Sequence, residues 1–77
     1  MTEAHSPTLL PLPADPETLI AARDVPRFTG MAAQTHARWR VEGVGPEYLK
    51  LGRRVFYMAG AIRFWIQNQV HQNTVNP

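Results

Sequence analysis

At 77 residues, with 8 Lys and Arg, 6 Asp and Glu and no Cys, the chain has room for one small domain whose core must be compact. The missing thiols exclude disulfides and thiolate metal sites and fit a soluble protein of a reducing cytoplasm. No apolar run approaches the roughly 20 residues that span a bilayer, and the N-terminus lacks the basic start and apolar core of a secretory signal.

The formal net charge is only +2, yet it is unevenly placed. Residues 1–18 carry Glu3, Asp15 and Glu17 and no cation, whereas residues 19–77 carry all 8 cations against Asp24, Glu42 and Glu47, a net +5. A basic domain behind an acidic arm is the electrostatic footprint of a nucleic-acid binder, shared with proteins that touch acidic partners or membranes.

Residues 1–18 include Pro7, Pro11, Pro13 and Pro16 and few aromatic or β-branched side chains, which predicts an extended, flexible, acidic arm. Leu9, Leu10 and Leu12 are an apolar exception able to dock on a neighbour. Leu19 and Ile20 then suggest a short strand or turn, followed by a helix from about Ala22. Proline is tolerated in a first helical turn, where N–H groups have no intrahelical partner, and clashes one position later. Pro26 therefore predicts a short or kinked first helix, ended by Thr29-Gly30 with Gly30 as the left-handed terminator.

A second helix is expected from about Ala32 to Glu42, roughly 16 Å long and suited to a major groove. Thr35, His36 and Trp39 share its inward face, and Ala33, Gln34, Ala37 and Arg38 its outward one. Gly43 and Gly45-Pro46 stop it. Residues 45–57 then read as a basic β-hairpin reversing at Gly52-Arg53, where glycine supplies the positive φ of a two-residue turn. Leu49, Leu51, Val55 and Tyr57 are expected on one face of it and Lys50, Arg54 and Phe56 on the other. A third helix from about Ala59 to Val70 aligns Ile62, Trp65, Ile66 and Gln69, and residues 71–77 are expected to fray. Trp39, Val55, Tyr57, Ile62, Trp65 and Ile66 are the predicted core. The expected class is mainly α with a small β-hairpin, a winged helix-turn-helix over residues 19–70.

Those residues resemble the small excisionase and AlpA-like family with a MerR-type winged helix-turn-helix. The resemblance rests on Leu19-Ile20 opening the first helix, Gly30 closing it, the Gly-Pro-x-aromatic-x-Lys-Leu-Gly-Arg-Arg-Val-x-Tyr stretch from Gly45 to Tyr57, and the closing Ile62, Trp65 and Ile66. It implies double-stranded DNA binding through the second helix and the wing. For many members it also implies action as a recombination directionality factor of a phage or integrative element: copies assemble beside an attachment site, bend the DNA and help a tyrosine-type integrase excise. Other relatives regulate transcription. The chain departs from the pattern at Ala32, where a capping Ser is common and its loss costs about 1 kcal/mol, at His36, where an aliphatic residue is usual, and at Phe56 and Phe64, which are commonly polar.

Gln34 and Arg38 are the candidates for base-edge contact, since Gln pairs bidentately with adenine and Arg with guanine. Ala33 and Ala37 leave the same face smooth enough for close approach. Lys50, Arg53 and Arg54 are the candidate phosphate or minor-groove contacts of the wing, with Arg23, Arg27 and Arg40 as further cations. Arg40 has an alternative in pairing with Glu42, Glu47 or Asp24. Phe56 and Phe64, if exposed, suit a head-to-tail contact between DNA-bound copies; the other reading tucks one or both into the core.

Catalysis is not expected. His5, His36 and His71 lack metal-ligand spacing, Ser6 lies in the arm, and no phosphate-cradling glycine loop opens a helix. Neither a metal nor a cofactor is expected. Two alternatives to excision remain: transcriptional regulation by the same fold, and a helix-turn-helix repurposed as a protein-binding antagonist through Phe56, Phe64 and Leu9–Leu12.

Overall fold

The computed structural model describes residues 8–74, with side chains described as far as Gln69. Strand β1 (Leu19–Ala21) leads through a 3-10 turn (Ala22–Asp24) to helix α1 (Pro26–Thr29); helix α2 (Ala33–Glu42), strands β2 (Leu49–Leu51) and β3 (Arg54–Met58) and helix α3 (Ala59–Thr74) follow. The result is a small α+β domain of three helices and a three-stranded antiparallel sheet in the order β1-β3-β2. No helix among the described residues is long and apolar enough to cross a membrane.

The sheet is larger than the expected hairpin because β1 pairs with β3, placing Ile20 opposite Tyr57. The reversal lies at Gly52-Arg53, and only Gly52 has positive φ (+66°), the pattern of a II′-type hairpin turn.

The facing of the hairpin differs from expectation. Cross-strand partners point to the same side of a sheet, and the register pairs Leu49 with Phe56, Lys50 with Val55 and Leu51 with Arg54. A two-residue turn joins odd positions to even ones, so Leu49 and Leu51 share a face with Arg54 and Phe56. Lys50 shares the other with Val55 and Tyr57.

Core packing gathers on that second face. Tyr57 joins Ile20, Val25, Ala59 and Ile62 as the buried apolar set, with Leu12, Phe28, Val55 and Ile66 against it. Trp39 and Trp65 are only half-buried and meet each other, ring centroids 5.4 Å apart, as a second seam between α2 and α3.

Pro26 occupies the first turn of α1, which lasts four residues and ends at Gly30. Helix α2 starts behind Ala32, which makes no side-chain cap bond. Helix α3 runs to Thr74, past the expected end near Val70 and into the residues expected to fray; residues 75–77 lie outside the described set.

Residues 8–18 lie against the domain, where an extended arm is expected; residues 1–7 of that arm lie outside the description. The Leu10 N–H donates to the Arg27 carbonyl (2.9 Å), Arg63 Nη2 donates to the Pro13 carbonyl (3.0 Å), and Leu12 packs on the core. The first N–H groups of α3, which no helical carbonyl can satisfy, donate to this segment: Ala59 to Thr18 O and Gly60 to Pro16 O, each at 2.9 Å. The prolines that suggested an arm instead lower the entropy lost on docking. Gly60 is required by proximity, since a Cβ there would lie 2.8 Å from Pro16 Cβ.

Candidate nucleic-acid interface

Helix α2 turns Ala33, Gln34, Ala37 and Arg38 to solvent and Thr35, His36 and Trp39 inward. Val41, 88% exposed, extends the outward stripe and was not among the expected contacts; its spacing of four from Ala37 is the signal that identifies it. Arg38 Nε lies 3.8 Å from Glu42 Oε2, with both side chains exposed, so the pair contributes little and leaves Arg38 able to exchange partners.

The 3-10 turn after β1 carries Arg23 to this helix. Ala22, Arg23, Ala33, Gln34, Ala37 and Arg40 line one shallow hollow of about 330 Å³. Two expected cations thus meet the expected base-reading glutamine, a grouping that sequence spacing does not reveal. Arg27 is exposed but belongs elsewhere, beside Leu9, Leu10 and Gly30 under the N-terminal segment.

Arg40 takes none of the acidic partners considered for it. Its Nη1 donates to Tyr57 Oη at 2.7 Å, and its guanidinium lies 5.8 Å from the Tyr48 ring centroid and 5.9 Å from that of Tyr57. These contacts hold the cation in place without cancelling its charge.

On the hairpin, Lys50, Arg53 and Arg54 are all exposed. None has a salt-bridge partner among the described residues, where Arg38–Glu42 is the sole ion pair. By register Lys50 and Arg54 lie on opposite faces, with Arg53 at the tip between them. The Arg54 guanidinium sits 5.2 Å from the Phe56 ring centroid, so Phe56 is half-buried on the outer sheet face rather than fully displayed. Phe64 is 65% exposed on α3 and lines a groove with Met58 and Trp65 that does not include Phe56. The two phenylalanines do not share one hollow.

His36 is buried beneath this surface. Its ring meets Trp39 edge-on (centroids 5.4 Å, 86°) and Tyr57 at 6.1 Å. Nε2 hydrogen-bonds with Thr29 Oγ1 at 2.9 Å, tying the end of α1 to α2, and Nδ1 has no partner among the described residues. Burial, and secondarily the nearby Arg40 charge, lower its pKa below 6.5, so the ring is neutral at pH 7. It serves packing, joining α1, α2 and β3. His5 and Ser6 lie outside the described residues, as does the His71 side chain. Among the described residues no three His, Cys, Asp or Glu side chains converge on a metal-sized site.

No protein-family model matches the chain, and searches of curated proteins and of solved structures likewise find no match.

Proposed function

We propose that this protein binds double-stranded DNA as a MerR-like winged helix-turn-helix, with α2 in the major groove and the β2–β3 hairpin as the wing. The observation that carries this reading is the set of exposed hairpin cations without anionic partners among the described residues, accompanied by a basic hollow where Arg23 and Arg40 flank Gln34. Gln34 and Arg38 read base edges, Ala33, Ala37 and Val41 permit close approach to thymine methyls, and Lys50, Arg53 and Arg54 hold phosphates. If the three hairpin cations and one cation of the hollow each neutralise a phosphate, the logarithmic salt slope is about −3.6.

With so few polar groups on α2, one copy gains limited sequence specificity, which favours assembly of several copies. The biological role we assign is that of an excisionase: head-to-tail copies beside an attachment site bend the DNA for a tyrosine-type integrase. The outer sheet face around Phe56 supplies the contact between copies, while Phe64 stands apart. Bending costs of order 1–6 kcal/mol over a short site, which the added phosphate contacts offset.

A mobility-shift titration tests this on DNA from the parent element's attachment region, a promoter fragment and a scrambled control, at low and high salt. Stepwise, cooperative, salt-sensitive complexes on the attachment DNA are expected. A single complex confined to the promoter would transfer the role to transcriptional regulation, and absence of binding to all three would end the DNA reading.

A further inference from the structure

The groove that holds Phe64 has the opposite electrostatic character from the rest of the domain. Its volume is about 670 Å³, within the range of about 300–1,000 Å³ typical of formed ligand pockets. Met58, Phe64 and Trp65 form its apolar walls, and Glu17 and Glu47 stand at its rim. Met58 is 40% exposed and Phe64 65%; large apolar side chains held open together in so small a domain mark a contact surface. None of the 8 Lys and Arg residues of the chain lines the groove.

We infer that this acidic-rimmed apolar groove docks a segment of another protein that carries neighbouring apolar anchors flanked by Lys or Arg. Charge complementarity selects this occupant. The two rim carboxylates repel phosphate, so neither nucleic acid nor an anionic lipid surface fits, while cations beside the anchors meet Glu17 and Glu47 as the anchors enter between Phe64 and Trp65. The groove has room for more than one anchoring side chain, as in helix-in-groove recognition. A second copy is a poorer occupant. Of its basic apolar elements, the hairpin tip offers only Leu51 between the cations, with the neighbouring ring on that face under Arg54, and Leu9 and Leu10 beside Arg27 are held to their own domain by the Leu10 N–H bond to the Arg27 carbonyl. No groove residue belongs to the proposed DNA-contact set, so the two surfaces are free to be occupied together.

The test is selection of a random-peptide display library on the immobilised full chain, followed by anisotropy titration of synthesised winners and Trp fluorescence, since Trp65 lines the groove. Enriched peptides should combine adjacent apolar anchors with Lys or Arg. Binding should weaken about tenfold or more on Glu17→Lys/Glu47→Lys and on Phe64→Ala, all exposed positions whose variants are checked for unchanged circular dichroism. Peptides with Glu in place of their Lys and Arg should recover binding to the doubly reversed variant. The inference is overturned if no such peptides are enriched, or if they bind the doubly reversed variant equally well. It is also overturned if the chain self-associates through contacts that the same reversal abolishes, which would give the groove to a second copy.

Discussion

Alternate residues of β3 lead opposite lives. Val55 and Tyr57 face inward, where Tyr57 is buried and touches His36 and Arg40, whereas Arg54, Phe56 and Met58 face the open side of the sheet. One strand therefore joins a packed face, where geometry is over-determined, to an open face on which side chains can be exchanged without disturbing the fold. The lesson is that the proposed contacts are carried by the least packed residues and oriented by the most packed ones.

The sharpest way to test that division is to neutralise the hairpin. Lys50→Ala/Arg53→Ala/Arg54→Ala should lower the steepness of the salt dependence of DNA binding by about three and abolish detectable complexes at high salt. Its unfolding free energy should stay within about 0.5 kcal/mol per substitution, measured by urea titration. A parallel loss of stability would break the comparison.

Ile62→Ala should do the reverse. It opens a cavity in the buried set and should cost about 2–5 kcal/mol by the same titration. Gly60→Ala forces a methyl against Pro16 and should cost about 1–3 kcal/mol, releasing residues 8–18 toward hydrogen exchange before the sheet opens.

The packed face also predicts a pH dependence. Because folding lowers the His36 pKa, the unfolded chain binds more protons as pH falls through about 6.5. The contribution of His36 is thus constant above that value, and stability declines below it until the lower folded pKa is passed. His36→Leu should flatten that limb of a pH-resolved melting series. Smallest of all, Phe56→Ala should change stability by under about 1 kcal/mol, yet remove cooperativity between adjacent sites in the mobility shift. Unchanged cooperativity would remove Phe56 from the contact between copies.

How far these features could be read from sequence depends on the range of the interaction. Gly52-Arg53, Pro26, Gly30 and the 3.6-residue spacing of α2 are local signals, and the corresponding elements lie where those signals put them, except that α1 begins at Pro26 and not near Ala22, where a separate 3-10 turn stands. The hairpin faces differ from simple strand alternation because the two turn residues shift its phase between β2 and β3. The contacts of residues 8–18 are not legible locally because their partners are remote: Arg63 and Pro13 are 50 residues apart. At the candidate interface single cations are legible, but the hollow shared by Arg23 and Gln34 depends on where β1 pairing with β3 sets the 3-10 turn, and the anchoring of Arg40 on Tyr57 depends on α2 meeting β3.

Met58 ends β3 and Ala59 begins α3, with no residue between them. The junction is clamped by the carbonyls of Thr18 and Pro16. Hairpin and helix consequently behave as a lever without a hinge. Torque applied at Arg53 is delivered to the helix that bears Phe64, because no loop lies between to dissipate it.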